Sequence, residues 1–330
     1  MRALVTGASG FVGSTLIERL QKEDLEVHAM LRATSSDKNL KNLKYKRIDA
    51  SFADLASLKQ AVQGMDYIFH LAGTIFAPSR EDYLSINTEG TRKLAQAIGE
   101  VGYPVKKFIF VSSLAAGGPT NSLTPRTELD TDAPVSAYGE SKLQAEKELS
   151  QYNNKFPITI LRPPMVYGPK DKATLLFFKT VSRHIVPMFR GHTTQDGQKY
   201  YTAIHVRDLC SGIIKAAFSD IRGEIFYLTN DYIFTYEELM ATIARHLNKK
   251  IFKFRVPDVA LTIGAHGLSW YSKITGRTYS LNIDKLHELK PDYWICTGEK
   301  AKKSFGFSAE TNLSDGLLET IKWYKKYSWL

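Results

Sequence analysis

The chain has 330 residues, a length that allows one large domain or two closely packed ones. Its 43% hydrophobic and 24% charged residues exclude a disordered or fibrous protein. With 44 Lys and Arg against 34 Asp and Glu, the formal net charge is +10. This charge is compatible with nucleic acid, an anionic membrane surface or an anionic ligand. Because the basic residues are scattered and no zinc-finger or RNP-like motif accompanies them, we expect no nucleic-acid partner.

The cysteines and the apolar stretches bear on the cellular compartment. Cys210 and Cys296 form neither a CxxC pair nor a disulfide framework, so we expect a cytoplasmic protein. The stretch from Val259 to Ser272 contains His266 and is shorter than the roughly 18–20 residues of a spanning helix, so we expect no membrane span. A strand-like run directly after Met1 argues against a signal peptide. The histidines lack ligand spacing and HExxH is absent, so no metal is expected.

Short apolar runs alternate with helical patterns through the first half of the chain. The strand-like runs are Ala3–Thr6, Val27–Leu31, Tyr45–Ile48, Tyr67–Leu71, Phe108–Val111 and Ile158–Leu161. Helical patterns occupy Phe11–Leu20 and about 53–63, 82–102 and 137–153. This alternation predicts an α/β fold with a doubly wound parallel sheet, covered by helices on both faces. A ligand of such a sheet binds at the carboxyl ends of the strands.

The sequence changes character after Arg162-Pro163-Pro164, where aromatic and basic residues become denser and the alternation fades. We therefore expect a first domain at 1–164, to which a segment at about 202–219 returns, with a helical run at about 208–218. Residues 165–330 would form a smaller C-terminal α/β lobe that binds the substrate. Its C-terminal part carries many aromatic residues, among them Trp270, Tyr271, Tyr279, Tyr293, Trp294, Trp323, Tyr324, Tyr327 and Trp329.

A glycine-rich turn joins the first predicted strand to the first predicted helix. Gly7 permits a tight turn, Gly10 lets the backbone approach a pyrophosphate, and Gly13 allows the helix to pack closely on the sheet. The helix N-terminus adds free N–H groups and the positive end of its dipole. The position of the turn predicts dinucleotide binding, and a purely structural turn is the alternative. The residues assigned to the cofactor here are Gly7, Ser9, Gly10, Phe11, Val12 and Gly13.

Arg32 stands at the end of the second predicted strand, where an Asp or Glu would accept a hydrogen bond from the ribose 2′-hydroxyl of NAD. A guanidinium pairs with a 2′-phosphate instead, so we predict NADP as cofactor, with NAD possible. The alternative is that Arg32 stacks on the adenine or faces water. A cluster of basic residues follows and comprises Lys38, Lys41, Lys44, Lys46 and Arg47. It forms either a patch that binds phosphates or a solvated helix-and-loop face.

Tyr138 and Lys142 lie four residues apart at the start of a helical pattern, so both side chains share one helix face. A nearby ammonium stabilises a phenolate and lowers the pKa of a tyrosine, which makes the phenol a usable acid or base. The strand before them ends in Ser112-Ser113, and a hydroxyl there can donate to a substrate carbonyl oxygen. We predict that Tyr138, Lys142 and one of these two serine hydroxyls form the catalytic group.

The glycine turn, the strand-end serine and the Tyr/Lys pair together resemble the extended short-chain dehydrogenase/reductase family, which has a Rossmann domain that binds NAD(P). The resemblance covers nearly the whole chain and includes the segments His70–Gly73, Asn87–Thr91, Leu161–Pro169 and Ile204–Leu209. It implies that Ser113, rather than Ser112, is the catalytic hydroxyl, and that Lys142 also holds the nicotinamide ribose. Further cofactor contacts implied by the resemblance are Asp49 and Ala50 near the adenine, Leu71, Ala72 and Gly73 along the cofactor, and Pro163 and Val166 near the nicotinamide. It also implies a homodimer formed through the helices at about 82–102 and 137–153.

Departures from the family pattern indicate the branch. Leu114-Ala115 follows Ser113 where dehydratases of this family carry Asp-Glu, so dehydration is not expected. Pro164-Met165 and Tyr201 stand where many sugar-nucleotide epimerases carry an Asn and an Arg that bind the diphosphate. The chain instead resembles the dihydroflavonol reductases and 3β-hydroxysteroid dehydrogenases. This implies an oxidoreductase that interconverts a ketone or aldehyde and a secondary alcohol on an apolar, steroid- or flavonoid-like small molecule.

Two other functions remain open at this stage. The first is a nucleotide-sugar epimerase with tightly held NAD(P), which would show no net cofactor turnover. The second is a non-catalytic dinucleotide-binding sensor, although such relatives typically lack the tyrosine or the lysine. The aromatic residues of the lobe fit either an apolar pocket or ordinary core packing.

Overall fold

A computed structural model of the chain describes residues 1–275 and 283–330, except for the side chains of 269, 270 and 272–275. Two of the aromatic residues predicted for the substrate lobe, the Trp270 side chain and Tyr279, lie outside the described residues. The described strands are β1 (Arg2–Thr6), β2 (Glu26–Leu31), β3 (Lys46–Asp49), β4 (Tyr67–His70), β5 (Lys107–Val111), β6 (Ile158–Arg162), β7 (Met165–Tyr167), β8 (Ile185–Met188), β9 (Tyr200–His205), β10 (Glu224–Tyr227), β11 (Asn230–Thr235), β12 (Phe252–Arg255) and β13 (Tyr293–Trp294).

The helices range from single turns to 18 residues. The described α-helices are α1 (Phe11–Leu20), α2 (Leu55–Val62), α3 (Arg80–Tyr83), α4 (Gly90–Val101), α5 (Leu114–Gly117), α6 (Ala137–Ser150), α7 (Leu175–Ser182), α8 (Val206–Phe218), α9 (Tyr236–Leu247), α10 (Asp258–Thr275), α11 (Ile283–Leu289), α12 (Glu299–Phe305) and α13 (Leu313–Lys326). A 3₁₀ turn at Lys38–Leu40 and a π-helical stretch at Leu84–Glu89 complete the set. None of the described helices combines the length and the apolarity needed to cross a membrane.

The main sheet is parallel and has seven strands in the order β10-β6-β5-β4-β1-β2-β3. The central strands β1, β4 and β5 are almost wholly buried, because helices pack on both of their faces. Helices α1 and α8 cover one face, and α2, α4 and α6 cover the other. The chain leaves β1 toward β2 and later returns to β4 on its other side, so the strand order reverses between β1 and β4. This doubly wound arrangement is a Rossmann fold, as predicted, and it opens a crevice at the carboxyl ends of β1 and β4.

The C-terminal lobe is a smaller α/β unit. Strands β11, β9 and β13 form a sheet in that order, β7 also pairs with β9, and β8 pairs with β12. Helices α7, α9 and α13 pack on these strands around Phe178, Met240 and Tyr324. The predicted division into a large sheet domain and a smaller α/β lobe matches this architecture.

Two later segments belong to the main sheet domain. Helix α8 packs against α1, with Leu209 and Ile213 fully buried in the shared core. Strand β10 then pairs with β6 and forms the edge of the sheet. The boundary at residue 164 and the return at about 202–219 stay predictions, and β10 lies beyond the return that we predicted.

Candidate active site

The glycine-rich turn forms a narrow cradle at the end of β1. Gly7 has φ +67°, and a Cβ added to it would lie 2.8 Å from the backbone nitrogen of Ala72. A Cβ on Gly13 would lie 2.2 Å from the carbonyl oxygen of Gly7, so only glycine lets α1 pack this closely. Gly10 precedes α1 with extended backbone and no side chain to cap the helix. The first N–H groups of α1 are therefore available to an anion, and these residues fit the pyrophosphate of a dinucleotide.

The other residues predicted for the turn are also placed there. Phe11 and Val12 pack their side chains on the sheet core, so their backbone N–H groups are what they can offer a phosphate. The carbonyl oxygen of Ser9 accepts a hydrogen bond from Asn39 at 2.9 Å, which ties the turn to the segment after β2. This hydrogen bond fixes the position of the glycine-rich turn relative to the segment after β2.

Arg32 is exposed at the end of β2, and its backbone N–H donates to Ser35 Oγ at 3.1 Å. It lines a groove of about 1170 Å³ together with Ser9, Ser36 and Lys38. This groove also contains Lys41 but not Lys44, Lys46 or Arg47. The basic cluster therefore divides, and only Lys38 and Lys41 of it line this groove.

The residues predicted near the adenine lie at the neighbouring strand end. Asp49 closes β3, and its carboxylate accepts a hydrogen bond from Arg47 at 2.7 Å, which lowers the pKa of Asp49. Ala50 is buried, and its N–H donates to the carbonyl oxygen of Leu31 at 3.1 Å. Both residues thus lie beside the end of β2, at the Arg32 end of the crevice.

The wall that follows β4 links the glycine turn to the predicted catalytic lysine. Leu71 and Ala72 lie against Gly7, whereas a Cβ on Gly73 would be 3.6 Å from Lys142 Nζ and 2.9 Å from Asn87 Oδ1. Asn87 accepts from the Thr74 N–H at 2.8 Å, so it holds this wall in place.

The catalytic residues predicted from the sequence converge at the carboxyl end of β5. Ser113 caps α5, and its hydroxyl accepts from the Ala115 N–H at 3.1 Å. Tyr138 lies in the first turn of α6, close enough to Ser113 for the serine hydroxyl to lower the pKa of the phenol. Lys142 follows one turn later, and its Nζ donates to the carbonyl oxygen of Val111 at 2.9 Å.

The segment after β6 passes close to this group. The carbonyl oxygen of Pro163 accepts from the Leu114 N–H at 2.8 Å, directly beside Ser113. Val166 continues into β7, where it pairs with Ile204. Pro163 and Ser113 are therefore close in space although they are far apart in the sequence.

Burial sets the protonation of both titratable groups. It raises the pKa of the Tyr138 phenol, against a smaller lowering effect of the hydrogen bond from Ser113, and Glu288 adds to the rise. Burial also lowers the pKa of Lys142 to about 8, partly opposed by Glu146. The expectation that Lys142 lowers the pKa of Tyr138 is thus not met here, because loss of solvent around the phenol outweighs any effect of the ammonium. The Tyr138 phenol is therefore protonated at neutral pH, so it can donate a proton before it can accept one.

Helix α11 closes over the start of α6, a contact that no sequence pattern indicated. Asp284 accepts hydrogen bonds from the N–H groups of Ala137, at 2.5 Å, and Tyr138, at 3.3 Å. Lys285 Nζ lies 5.4 Å from the centre of the Tyr138 ring. A cavity of about 750 Å³ opens beside these residues, and its lining includes Ala77, Arg80, Tyr83, Val135 and His287. Ser113, Tyr138 and Lys142 are not among the residues that line this cavity.

A buried ion pair between Glu146 and Arg162 holds α6, the helix that carries Tyr138 and Lys142, against the sheet. Glu146 lies one turn after Lys142 and accepts from Arg162 Nε at 2.9 Å and from the Ser112 hydroxyl. Arg162 also binds Asp132 at 2.6 Å. The partners lie on α6, β5 and β6, so the network joins the helix that carries Tyr138 to two strands of the sheet. Ser112 points into this support, whereas Ser113 faces Tyr138.

A Rossmann sheet with a glycine turn and a Ser, Tyr and Lys group at its carboxyl edge defines an enzyme of the extended short-chain dehydrogenase/reductase type. A model of the NAD dependent epimerase/dehydratase family matches residues 3–227, and the chain belongs to this family. Members of this family are NAD(P)-dependent oxidoreductases and epimerases.

Individual relatives include both kinds of enzyme. A ceramide reductase from Caulobacter vibrioides is 27% identical over 329 residues, which cover 99% of this chain and 95% of that protein. The N-acetyl-α-D-glucosaminyl-diphospho-ditrans,octacis-undecaprenol 4-epimerase of Escherichia coli O157:H7 is 29% identical, with coverage of 97% and 94%. Among solved structures, a UDP-glucose 4-epimerase from Thermotoga maritima with UDP-glucose superposes with a TM-score of 0.80 at 22% identity, over 99% of this chain and 100% of that chain. At this level of sequence identity, the similarity to the solved structure shows only that the two proteins share a fold.

Proposed function

We propose that the protein is an NADP-dependent reductase that converts a ketone on an apolar substrate into a secondary alcohol, and catalyses the reverse reaction. The observation that carries the proposal is the buried phenol of Tyr138, which lies one helical turn from Lys142 at the end of the strand that leads into Ser113. A proton donor of this kind, at the edge of a dinucleotide-binding sheet, suits a carbonyl group that gains a hydride.

The chain's own residues supply orientation and the proton. The nicotinamide of a bound cofactor would provide the hydride. Ser113 and Tyr138 donate hydrogen bonds to the carbonyl oxygen of the substrate. These bonds stabilise the negative charge that develops on this oxygen as the carbonyl carbon receives the hydride. Tyr138 Oη then gives its proton to that oxygen. The Lys142 ammonium, held by Val111, stabilises the negative charge that remains on the phenol.

The preference for NADP rests on Arg32 and its surroundings. Its exposed guanidinium stands where an acidic residue would select NAD, and the hydroxyls of Thr34, Ser35 and Ser36 follow within four residues. A planar guanidinium forms two parallel hydrogen bonds to a phosphate, and hydroxyl groups add further donors. These groups favour a cofactor with a 2′-phosphate.

The proposal of an apolar substrate rests on the residues that stand where sugar-nucleotide epimerases bind the diphosphate. Tyr201 packs into the core of the lobe, with its ring centre 6.3 Å from that of Phe234. Pro164 is buried in the segment where an amide side chain is common among sugar-nucleotide epimerases. Neither residue supplies a cation or an amide to a nucleotide diphosphate. The similarity to a ceramide reductase supports a lipophilic substrate as well.

The main rival is an epimerase, which the similarity to the undecaprenol-linked sugar epimerase supports. Net cofactor turnover separates the two. The purified protein should be incubated with NADPH and, one at a time, long-chain ketones, ketosteroids, dihydroflavonols and UDP- or GDP-sugars. We expect one NADPH to be oxidised for each alcohol formed from an apolar ketone. Isomerisation of a nucleotide sugar without net cofactor oxidation would establish the rival, and NADPH binding without any turnover would indicate a sensor.

A further inference from the structure

The two-stranded sheet of the C-terminal lobe exposes a row of apolar side chains. Ile185 of β8 and Phe252 of β12 are register partners, and they are 52% and 70% exposed. Phe254, 39% exposed, pairs in the same way with Pro187. Because side chains alternate along a strand, these four residues lie on one face of the sheet. Val186 and Met188, on the opposite face of β8, pack into the core of the lobe.

Helix α10 follows β12 in the chain and also exposes apolar side chains. It begins three residues after Arg255, the last residue of β12, and presents Val259, 70% exposed, and Ile263, 68% exposed. These two residues are four apart, so they share one helix face. Large apolar side chains exposed to this extent on consecutive elements mark a place of contact. We call Ile185, Phe252, Phe254, Val259 and Ile263 the apolar surface.

Positive charge lies beside the apolar surface. Lys249 and Lys250 are exposed and lie just before β12, and 248–257 contains no Asp or Glu. Lys253 and Arg255 are also exposed, but they alternate with Phe252 and Phe254 along β12 and so lie on the other face of the sheet. Lys253 pairs with Glu237, but Lys249, Lys250 and Arg255 have no ion pair within the described part of the chain. These cations account for part of the net charge of +10 that the cofactor groove does not use.

The charge decides which partner fits. A second copy of the chain, docked through this face by a two-fold axis, would bring two sets of cations against each other, which is unfavourable. An anionic lipid surface attracts these cations and receives the apolar side chains at the boundary between headgroups and acyl chains.

We propose that the apolar surface, together with Lys249 and Lys250 beside it, binds the surface of an anionic lipid bilayer. The inference goes beyond the proposed reaction and does not depend on it. It has a consequence for the active site, since α10 packs against α11, and Asp284 of α11 holds the N-terminus of the helix that carries Tyr138. Helices α10 and α11 therefore link the apolar surface to the helix that carries Tyr138.

The test is sedimentation of the full-length protein with vesicles. One set contains phosphatidylcholine alone, and the other contains equimolar phosphatidylcholine and phosphatidylglycerol. The apolar variant is F252S/F254S, with Leu129→Ser as its control, since Leu129 is 96% exposed elsewhere on the molecule. The charge variant is K249Q/K250Q, with K302Q/K303Q on α12 as its control, because those lysines are equally exposed. Thermal unfolding of each variant verifies the fold.

We expect the native protein and both controls to bind the phosphatidylglycerol vesicles and to bind phosphatidylcholine much more weakly. Each double variant should bind about tenfold more weakly, and added salt should weaken binding of the native protein. The proposal is overturned if the native protein binds neither vesicle, or if the double variants bind like their controls. It is also overturned if F252S/F254S converts a native dimer into a monomer by light scattering, because the surface would then be an interface between copies.

Discussion

The ammonium of Lys142 donates a 2.9 Å hydrogen bond to the backbone carbonyl of Val111, two residues before Ser113. This bond joins α6 to the carboxyl end of β5. Tyr138 and Ser113 are carried by these two elements, so the bond also sets the distance between phenol and hydroxyl. The lysine thus has a geometric role in addition to its charge.

Replacing Lys142 with Met should lower kcat about 100-fold, since both the charge and the link to Val111 are lost. The melting temperature should not fall, because a lysine whose pKa is lowered by burial destabilises the fold when it is charged. In the native enzyme, reduction should slow as pH rises through about 8, where this amine loses its proton. Steady-state kinetics against pH and thermal unfolding measure these effects. A pH profile that is flat from neutral pH to well above this value would contradict the role of the ammonium.

Replacing Arg32 with Gln should raise KM for NADPH about 10- to 100-fold and leave KM for NADH nearly unchanged, because only NADPH has the 2′-phosphate. Lys44→Gln is the control, as it removes one charge from the same basic cluster but not from the groove. Equal effects of Arg32→Gln on the two cofactors would show that the guanidinium does not recognise the phosphate.

Replacing Gly13 with Ala should destabilise the protein by about 1–3 kcal/mol and abolish tight cofactor binding, since the new Cβ would collide with the Gly7 carbonyl 2.2 Å away. Gly267→Ala is a matched control in α10, where a Cβ meets nothing within 4 Å and alanine favours the helix. Urea unfolding and fluorescence titration with NADPH provide the measurements. A Gly13→Ala protein as stable as Gly267→Ala would refute the close packing of α1.

Acid should destabilise the protein through His70. This imidazole is buried between the hydroxyls of Thr6, at 2.7 Å, and Thr91, at 2.9 Å, and burial lowers its pKa to about 3. Between the unfolded pKa of 6.5 and about 3, the unfolded chain therefore binds a proton that the folded chain does not. The free energy of unfolding should fall by about 1.4 kcal/mol for each pH unit below this upper value. His205, whose pKa burial lowers to about 4, contributes in the same direction.

Urea unfolding as a function of pH measures this slope. His70→Gln should lower stability at neutral pH, because its two hydrogen bonds are disturbed, and should reduce the slope below pH 6.5. The exposed residue His266 offers a control, and His266→Gln should keep the native slope. A His70→Gln protein with the native slope would show that His70 does not titrate on unfolding.

The main sheet was predictable because its signals are local. Each buried strand is a short apolar run, and the tight turn at Gly7 needs a residue without a side chain. The weak pattern at Tyr45–Ile48 also corresponds to a strand, β3 at Lys46–Asp49. The rule that ligands bind at the carboxyl ends of parallel strands placed Ser112-Ser113 at the ligand edge, and the choice of Ser113 came from the family resemblance.

Contacts between distant segments were not predictable. Asp284 lies 147 residues after Ala137, and nothing near it in the sequence shows that it caps α6. The pKa of Tyr138 depends on how deeply the phenol is buried, which spacing alone does not indicate. The exposed face of β12 was missed for a related reason. A strand with alternating Phe and Lys is typical of a half-buried strand, and only its pairing with β8 shows the phenylalanines on the outside.

The most direct test of the account compares the native enzyme with Tyr138→Phe, and uses Tyr83→Phe as control. Tyr83 is buried with its ring centre 6.1 Å from that of Tyr138, but its hydroxyl donates to the Ile75 carbonyl instead. NADPH oxidation, alcohol formation and NADPH affinity should be measured together with the best apolar ketone. We expect Tyr138→Phe to lose about 10²- to 10⁴-fold in kcat with nearly native NADPH affinity, while Tyr83→Phe stays active. A Tyr138→Phe protein that reduces the ketone at close to the native rate would contradict the assignment of Tyr138 as the proton donor.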